Sequence, residues 1–260
     1  MSNTINRHGT HIWYELLTHD VGAAATFYGA VLGWNAQYLG APGGSYCRLH
    51  SGSEGVGGMV TIAPGMGSAS LGPVWLGYIG VTDVDAAVER IRATGGGVHV
   101  PPTDIPGVGR FAMVNDPQGA VFYVMRGGSD APSTAFAPQQ HGHVGWNELH
   151  TSDWHAALPF YADNFGWARG QAIDMGPMGS YQQITNSSGI ALGGMMNAAT
   201  FPAPAWLYYF NVGDIDTAGP AIVANGGTIL RPAHEVPNGD WIIHARDPQG
   251  ALFALTGQRT

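Results

Sequence analysis

Apolar positions along the chain alternate with period two, then recur at helical spacing, then alternate again. Residues 11–17, His-Ile-Trp-Tyr-Glu-Leu-Leu, alternate and are rich in aromatic and aliphatic side chains, which predicts a strand. Residues 21–32 carry Phe27-Tyr28 and Val31-Leu32 at helical spacing, with Asp20 as N-cap and Gly33 as the stop. Three short strands are predicted near 35–39, 45–50 and 56–62, separated by Pro42-Gly43-Gly44 and Ser51-Gly52-Ser53. A loop rich in Gly, Pro and Ser covers 63–73. The order then restarts. A strand is predicted at 74–81 and a helix from Asp83 to Ala93, capped by Asp83 or Asp85 and ended by Gly95-Gly96-Gly97. Strands follow near 98–100, 109–115 and 120–126, the last two joined by the tight-turn sequence Asp116-Pro117-Gln118-Gly119.

Residues 127–142 read as a linker by composition, and the pattern then repeats. Trp13, Glu15, Asp20, Phe27-Tyr28 and Gly33-Trp34 return as Trp146, Glu148, Asp153, Phe160-Tyr161 and Gly166-Trp167. Gly57-Gly58-Met59 returns as Gly193-Gly194-Met195, and Asp116-Pro117-Gln118-Gly119-Ala120 returns unchanged at 247–251. The period is too long for a solenoid. It predicts two duplicated domains of the α+β class, 8–126 and 143–257, each made of two strand-helix-three-strand modules. Pro159 falls inside the helix expected after Asp153 and should kink it.

Composition narrows the function classes. The chain is 45% hydrophobic and 11% charged, enough apolar material for well-buried cores. A formal net charge of −8 and the lack of any Lys/Arg run leave nucleic-acid binding without electrostatic support. No apolar run is long enough to span a bilayer, and Met1 to Gly9 lacks the apolar core of a secretory signal, so a cytoplasmic protein is expected. The single cysteine, Cys47, has no motif around it and reads as a small strand residue.

The paired Phe-Tyr and Gly-Trp in the first helix, with Asp-Pro-x-Gly before the last strand, resemble the vicinal oxygen chelate superfamily. That superfamily includes glyoxalases, bleomycin-resistance proteins and extradiol dioxygenases. The resemblance is to the two-domain bacterial type and covers about 10 to 257. It implies four βαβββ modules whose sheets curl into half-open barrels around cavities. It also implies where metal-dependent members carry ligands. On the first strand that place is Trp13 or Trp146. On the fifth it is Leu76 or Leu207, with Trp75, Gly77, Trp206 or Tyr208 one step away. On the last strand it is Tyr123 or Ala254, and on the fourth it is near Gly58-Met59 or Gly194-Met195. None of these is His, Asp, Glu or Cys, so neither a metal nor any other cofactor is expected.

Face alternation predicts what lines the cavities instead. In the first half it gives His11, Trp13 and Glu15, then Tyr46 and Arg48, then Tyr78, Tyr123 and Met125. In the second it gives Trp146, Glu148 and His150, then Tyr181 and Gln183, then Tyr209. Aromatic walls with a few polar groups are the usual make-up of a small-molecule site. Repeated aromatics and glutamates are equally what a fold conserves between its copies. Two functional readings follow. One is a metal-independent binding protein for an aromatic or planar small molecule. The other is an enzyme of the same superfamily, a glyoxalase-like lyase or isomerase with Glu15 or Glu148 as acid/base and His150 relaying a proton, or a metal enzyme with ligands from unusual places. The partner is a small molecule, with neither nucleic acid nor membrane, in a monomer or homodimer. His244 and His99 match no pattern and read as ordinary residues.

Overall fold

A computed structural model describes residues 8–39, 46–62, 72–129, 131, 133–197 and 203–259. The turn expected at Pro42-Gly43-Gly44 and most of the loop at 63–73 lie outside the described residues. The first module comprises β1 (His11–Thr18), α1 (Val21–Leu32), β2 (Asn35–Tyr38), β3 (Tyr46–Ser51) and β4 (Glu54–Thr61). The second comprises β5 (Val74–Gly80), α2 (Val84–Ala93), β6 (Gly97–Ile105), β7 (Gly109–Asn115) and β8 (Val121–Gly127). The third comprises β9 (Val144–Thr151), α3 (Trp154–Phe165), β10 (Ala168–Asp174), β11 (Ser180–Thr185) and β12 (Ala191–Asn197). The fourth comprises β13 (Ala205–Asp214), α4 (Ile215–Ala224), β14 (Thr228–Glu235), β15 (Trp241–Arg246) and β16 (Leu252–Gln258).

The strands form two open mixed sheets of eight, in the orders β2-β3-β4-β1-β5-β8-β7-β6 and β10-β11-β12-β9-β13-β16-β15-β14. The class is α+β, as the alternating periods imply. Each helix begins where an aspartate stands ready: Asp20 Oδ1 accepts from Ala23 N and Asp83 Oδ1 from Ala86 N, and Asp153 and Asp214 cap α3 and α4 in the same way. Gly33 and Gly166 end α1 and α3 in the left-handed region, at φ 71° and 69°. β6 reaches Ile105, well past the short strand expected at 98–100. α3 runs on through Pro159 to Phe165, and α4 likewise contains Pro220. Each proline forfeits a backbone bond without ending its helix.

The chain packs as two compact units that differ from its two halves. One unit consists of Met1–Ile12, Leu76–Ser133 and Asn147–Trp206, and the other of Trp13–Trp75, Thr134–Trp146 and Leu207–Thr260. The first unit therefore joins most of the second and third modules, with α2 against α3. The other joins the first and fourth, with α1 against α4.

The repeated motifs build these units. In the first unit Asp116 Oδ1 accepts from the backbone of Gln118 and Ala120, while its Oδ2 accepts from the Tyr161 hydroxyl at 3.1 Å. Trp206 Nε1 donates to the same hydroxyl, and Trp167 stacks on the Tyr161 ring at 5.0 Å. The Gln118 side chain closes the arrangement on Thr151, Ser152 and Asp153. The other unit repeats it without the side-chain bonds that Thr151 and Ser152 make to Gln118. Asp247 accepts from Tyr28, Trp75 donates to Tyr28, Trp34 stacks there, and Gln249 bonds the backbone of His19 and Asp20. The residues that signalled the resemblance are thus the clasp between two modules. Buried tyrosine and tryptophan need polar partners, and the turn carboxylate supplies one. Burial holds the carboxyls of both Asp116 and Asp247 above the usual range.

The linker is tied down where it is described. Ser133 Oγ donates to Ile12 O at 2.5 Å, Phe136 bridges Val144, and Trp34 Nε1 donates to Gly142 O at 2.7 Å. Cys47 is buried on β3 and burial pushes its thiol up to about 11, which fits an inert strand residue. No helix among the described residues is long and apolar enough to cross a membrane.

Candidate functional site

In the unit holding the first module, β1 turns Trp13 and Glu15 to one face, and β3 presents Tyr46 and Arg48 to that same face. Two glycines make room. A Cβ on Gly58 would stand 2.3 Å from the Tyr46 hydroxyl, so the tyrosine ring end lies across Gly58, and Gly58 is the register partner of Glu15. A Cβ on Gly55 would touch the Trp13 ring at 3.5 Å. The Trp13 indole hydrogen-bonds the Tyr46 hydroxyl. Burial, and after it the Glu15 charge, drive the Tyr46 hydroxyl well above the ordinary tyrosine range. Glu15 is 8% exposed, Trp13 and Tyr46 are half-buried, and Arg48 is exposed. The result is a wall of indole and phenol around a shielded carboxylate, with a cation at its edge.

The unit holding the third module carries the counterpart. Tyr181 lies across Gly194, where a Cβ would sit 2.3 Å from its ring, and Gly194 is the register partner of Glu148. His150, two residues on along β9, brings Nε2 to 2.7 Å from Glu148 Oε1, and both side chains are under 10% exposed. The strand alternation thus places the Glu–His pair as expected. Gln183 is half-buried on β11, on the Tyr181 face. Trp146 is half-buried on β9.

The neighbouring glycines explain the repeated Gly-Gly-Met. Gly57 and Gly193 face the opposite way, and a Cβ there would strike the carbonyl oxygens of Tyr14 and Asn147 on the next strand. One glycine of each pair lets two strands approach, and the other seats the tyrosine.

The other predicted residues fall elsewhere. Tyr78 and Tyr123 are strand neighbours and stack on each other, 4.2 Å between centroids at 15°, both 4% exposed. His11 is stacked on Trp167 and edge-on to Trp206, and burial alone lowers its pKa to about 3. It belongs to an aromatic core, not a cavity wall. Tyr209 is 3% exposed, and its hydroxyl lies 2.9 Å from His244 Nε2, with a second imidazole, His234, 6.1 Å from His244. Sequence reading missed His244. Laying the fourth module over the second would have flagged it, since an imidazole there replaces Met113. A groove of about 350 Å³ lies apart from all these residues, beside Val31, His141 and Thr217. Its carboxylate, Asp214, is already spent on capping α4.

The places where the family's metal-dependent members hold their ion do not fit one here. Trp13 donates from its indole to Tyr46, the Tyr123 ring is stacked on Tyr78, and the matching places in the second half are Trp146, Leu207 and Ala254. Among the described residues no three His, Cys, Asp or Glu side chains gather as a metal site requires.

Comparison with known proteins agrees with this architecture. The model of the Glyoxalase/Bleomycin resistance protein/Dioxygenase superfamily matches residues 11–124 and again 141–255. A Mycobacterium bovis protein named "Putative glyoxylase CFP32" is 30% identical over 252 residues, covering 96% of this chain and 95% of that one. The anthracycline biosynthesis protein DauV of Streptomyces sp. (strain C5) is 30% identical over 265 residues, covering 96% and 94%. Among solved structures, homoprotocatechuate 2,3-dioxygenase from Arthrobacter globiformis superposes with a TM-score of 0.68 at 14% identity, covering 98% of this chain and 81% of that one. The Mn(II)-bound glyoxalase from Novosphingobium aromaticivorans gives 0.65 at 15%, covering 98% and 83%. At such identities the two structures speak for the fold alone. With the model matched in both halves and 30% identity along nearly the whole length of its relatives, the chain belongs to the Glyoxalase/Bleomycin resistance protein/Dioxygenase superfamily.

Proposed function

We propose that the chain is a metal-independent binding protein for a planar or aromatic small molecule. The observation that carries this reading is the repeated wall in which a tyrosine lies across a glycine beside a shielded glutamate: Tyr46, Gly58 and Glu15 in one unit, Tyr181, Gly194 and Glu148 in the other. A ring presented at such a site supplies stacking area, and the carboxylate takes one hydrogen-bond donor of the ligand. Arg48, at the rim of the first wall, suits an anionic substituent on the ligand. The relative named for anthracycline biosynthesis supports a planar ligand, since an anthracycline is a fused-ring molecule.

The reading is tested on the full chain by titration calorimetry with naphthoate, anthraquinone sulfonate and β-naphthol, with and without EDTA. Saturable binding of at least one probe, unchanged by EDTA, is the expected result. Glu148→Gln or Glu15→Gln should weaken it about tenfold, the worth of one charge-assisted hydrogen bond. Binding that EDTA abolishes and added divalent metal restores would overturn metal independence. A complete lack of binding across the panel would overturn the ligand class.

The Glu148–His150 contact favours a second reading, a lyase or isomerase acting on a reactive carbonyl. Glu148 would take a proton from carbon next to that carbonyl, and His150, whose Nε2 lies 2.7 Å from Glu148 Oε1, would hold or return that proton. Turnover lost in Glu148→Gln and reduced in His150→Asn, with probe binding retained in His150→Asn, would favour this reading over simple binding.

A further inference from the structure

The first and third modules share a frame but differ in charge along one row of it. Arg48 of β3 and Glu15 of β1 are both register partners of Gly58 on β4. Gln37 of β2 is in turn the register partner of Arg48. Residues paired across a ladder point to one face, so Gln37, Arg48, Gly58 and Glu15 form a single row. The third module keeps one end of that row and changes the other. Gln183 and Glu148 are the register partners of Gly194, so glutamine stands where the first module has Arg48. β10 is bulged beside it, between Arg169 and Ala172, and brings Gly170 against Gln183, where a Cβ would meet the Gln183 Cβ at 3.1 Å. The one arginine of β10, Arg169, is turned over the Trp154 ring at 5.6 Å.

In the first module the charged end of the row lies open to water. Gln37 and Arg48 are exposed, and Trp13 and Tyr46 beside them are half-buried. The opposite face of the same strands is core, with Tyr14, Leu16, Cys47 and Leu49 all buried. Among the described residues Arg48 makes no ion pair, whereas Arg92, Arg110 and Arg259 each hold a carboxylate. Glu15 does not neutralise it, because the end of the Tyr46 ring lies across Gly58, between the two. The Arg48 charge does reach the Tyr46 hydroxyl, where it opposes the rise caused by burial and by Glu15. A guanidinium offers a planar fork of donors that matches a carboxylate, and the amide of Gln37 adds a further donor next to it. The phenol and indole beside that fork offer stacking area to a flat ring. A local cation matters for holding an anion here, since the chain as a whole carries a formal net charge of −8.

We infer that the first module selects an aromatic carboxylate, its carboxylate held by the fork of Arg48 with the Gln37 amide and its ring laid against Tyr46 and Trp13, while the third module, with Gln183 in the place of Arg48, does not select for that charge. This inference rests on the binding reading and adds to it a ligand charge and a difference between the two walls. Arg48 is the residue that sets the selectivity. An arginine that served only to solvate the strand would be indifferent to the charge of the ligand.

The test uses the full chain and three probes: 2-naphthoate, β-naphthol with the same ring and no charge, and acetate with the charge and no ring. Titration calorimetry on the wild type should give tighter binding of 2-naphthoate than of β-naphthol, and no binding of acetate at the same concentrations. The preference for 2-naphthoate should shrink as salt is raised, because the contact is exposed. Arg48→Gln places the third module's residue at an exposed position, so the fold should tolerate it. The preference for 2-naphthoate over β-naphthol should then fall about tenfold, the worth of one charge-assisted contact. Arg48→Lys keeps the charge without the fork and should recover only part of the preference. A wild type that prefers β-naphthol, or an unchanged preference in Arg48→Gln, overturns the inference. So does acetate that binds as tightly as 2-naphthoate, since the ring would then play no part. If any of these is found while a planar probe still binds the wild type, the inference falls and the binding reading stands. If no planar probe binds the wild type, the binding reading falls and the inference falls with it.

Discussion

His11 stacks on Trp167, meets Trp206 edge-on and is shut off from water, so its charged form is opposed and its pKa falls to about 3. An unfolded chain would protonate the same imidazole near its ordinary value of 6.5. The folded pKa lies below the unfolded one, so the unfolded state binds the extra proton between the two. The stability this neutral ring contributes is complete above pH 6.5 and is lost as pH falls from there toward 3, at about 1.4 kcal/mol per pH unit. The corresponding residue in the second half is Val144. His11→Val should therefore flatten the acid limb of stability measured by urea unfolding at a series of pH values, and an unchanged slope would contradict this account. Glycine 194 offers a second test at this scale. Gly194→Ala puts a methyl into the Tyr181 ring, which must swing away from Glu148. A loss of about 1–3 kcal/mol in stability is expected, with weaker binding of planar probes. Gly166→Ala, where a Cβ would meet nothing, should lose stability through backbone strain but leave binding intact.

Between elements, the Asp-Pro-Gln-Gly turn acts as a clasp, and its carboxylate can be dissected. Asp116 accepts two backbone hydrogen bonds and one from Tyr161 while burial raises its pKa. A raised carboxyl pKa means that its ionised form is a liability: the stability it contributes is greatest at low pH and falls as pH rises through the folded value. Asp116→Asn removes the buried charge and keeps an acceptor for the two backbone amides but not for the Tyr161 hydroxyl, so at neutral pH it should cost about 1 kcal/mol. Asp116→Ala leaves two amides and a tyrosine hydroxyl without their acceptor and should cost about 2–4 kcal/mol. Equal losses in the two variants would show that charge, not hydrogen-bond geometry, holds the clasp. The elements themselves were legible from the sequence because Asp20, Asp83 and Gly33 are local signals that act on the helix they border. The clasp was not, since Tyr161 and Asp116 are 45 residues apart and only folding brings them together. The same limit applies to the site. Strand alternation placed Glu148 and His150 side by side, but a residue pair contributed by different strands, such as Tyr209 with His244, has no local period to announce it. His11 shows the opposite failure: alternation gave it the face of Trp13, while the aromatic core of another module captured it.

For the whole molecule, the sequence halves and the packing units are different partitions of one chain. Each unit buries modules from both halves, through the Tyr161 clasp in one and the Tyr28 clasp in the other. Residues 1–142 made alone should therefore lack the partners of both α1 and α2 and behave as an expanded, dye-binding state. Mixing them with residues 143–260 should restore a cooperative unfolding transition and near-ultraviolet dichroism. A cooperative, monomeric 1–142 fragment would overturn this view of the cores. Length and repeat made the duplication plain, but no local feature of the sequence indicates which modules share a core.

The second module holds Asp85 with its own Arg110, through two hydrogen bonds of 2.8 and 2.9 Å. In the fourth module Trp241 occupies the arginine's place, and the matching Asp216 is held instead by Arg259, whose guanidinium lies 3.9 Å from the centre of the Trp241 ring. The contact made from β7 in the second module is made from the residue after β16 in the fourth. Each exposed link is screened by water and weak, so the Arg259 contact opens and closes readily. Arg259→Ala would strip a cation from an indole, and the emission of Trp241, isolated by difference against Trp241→Phe, should change with it.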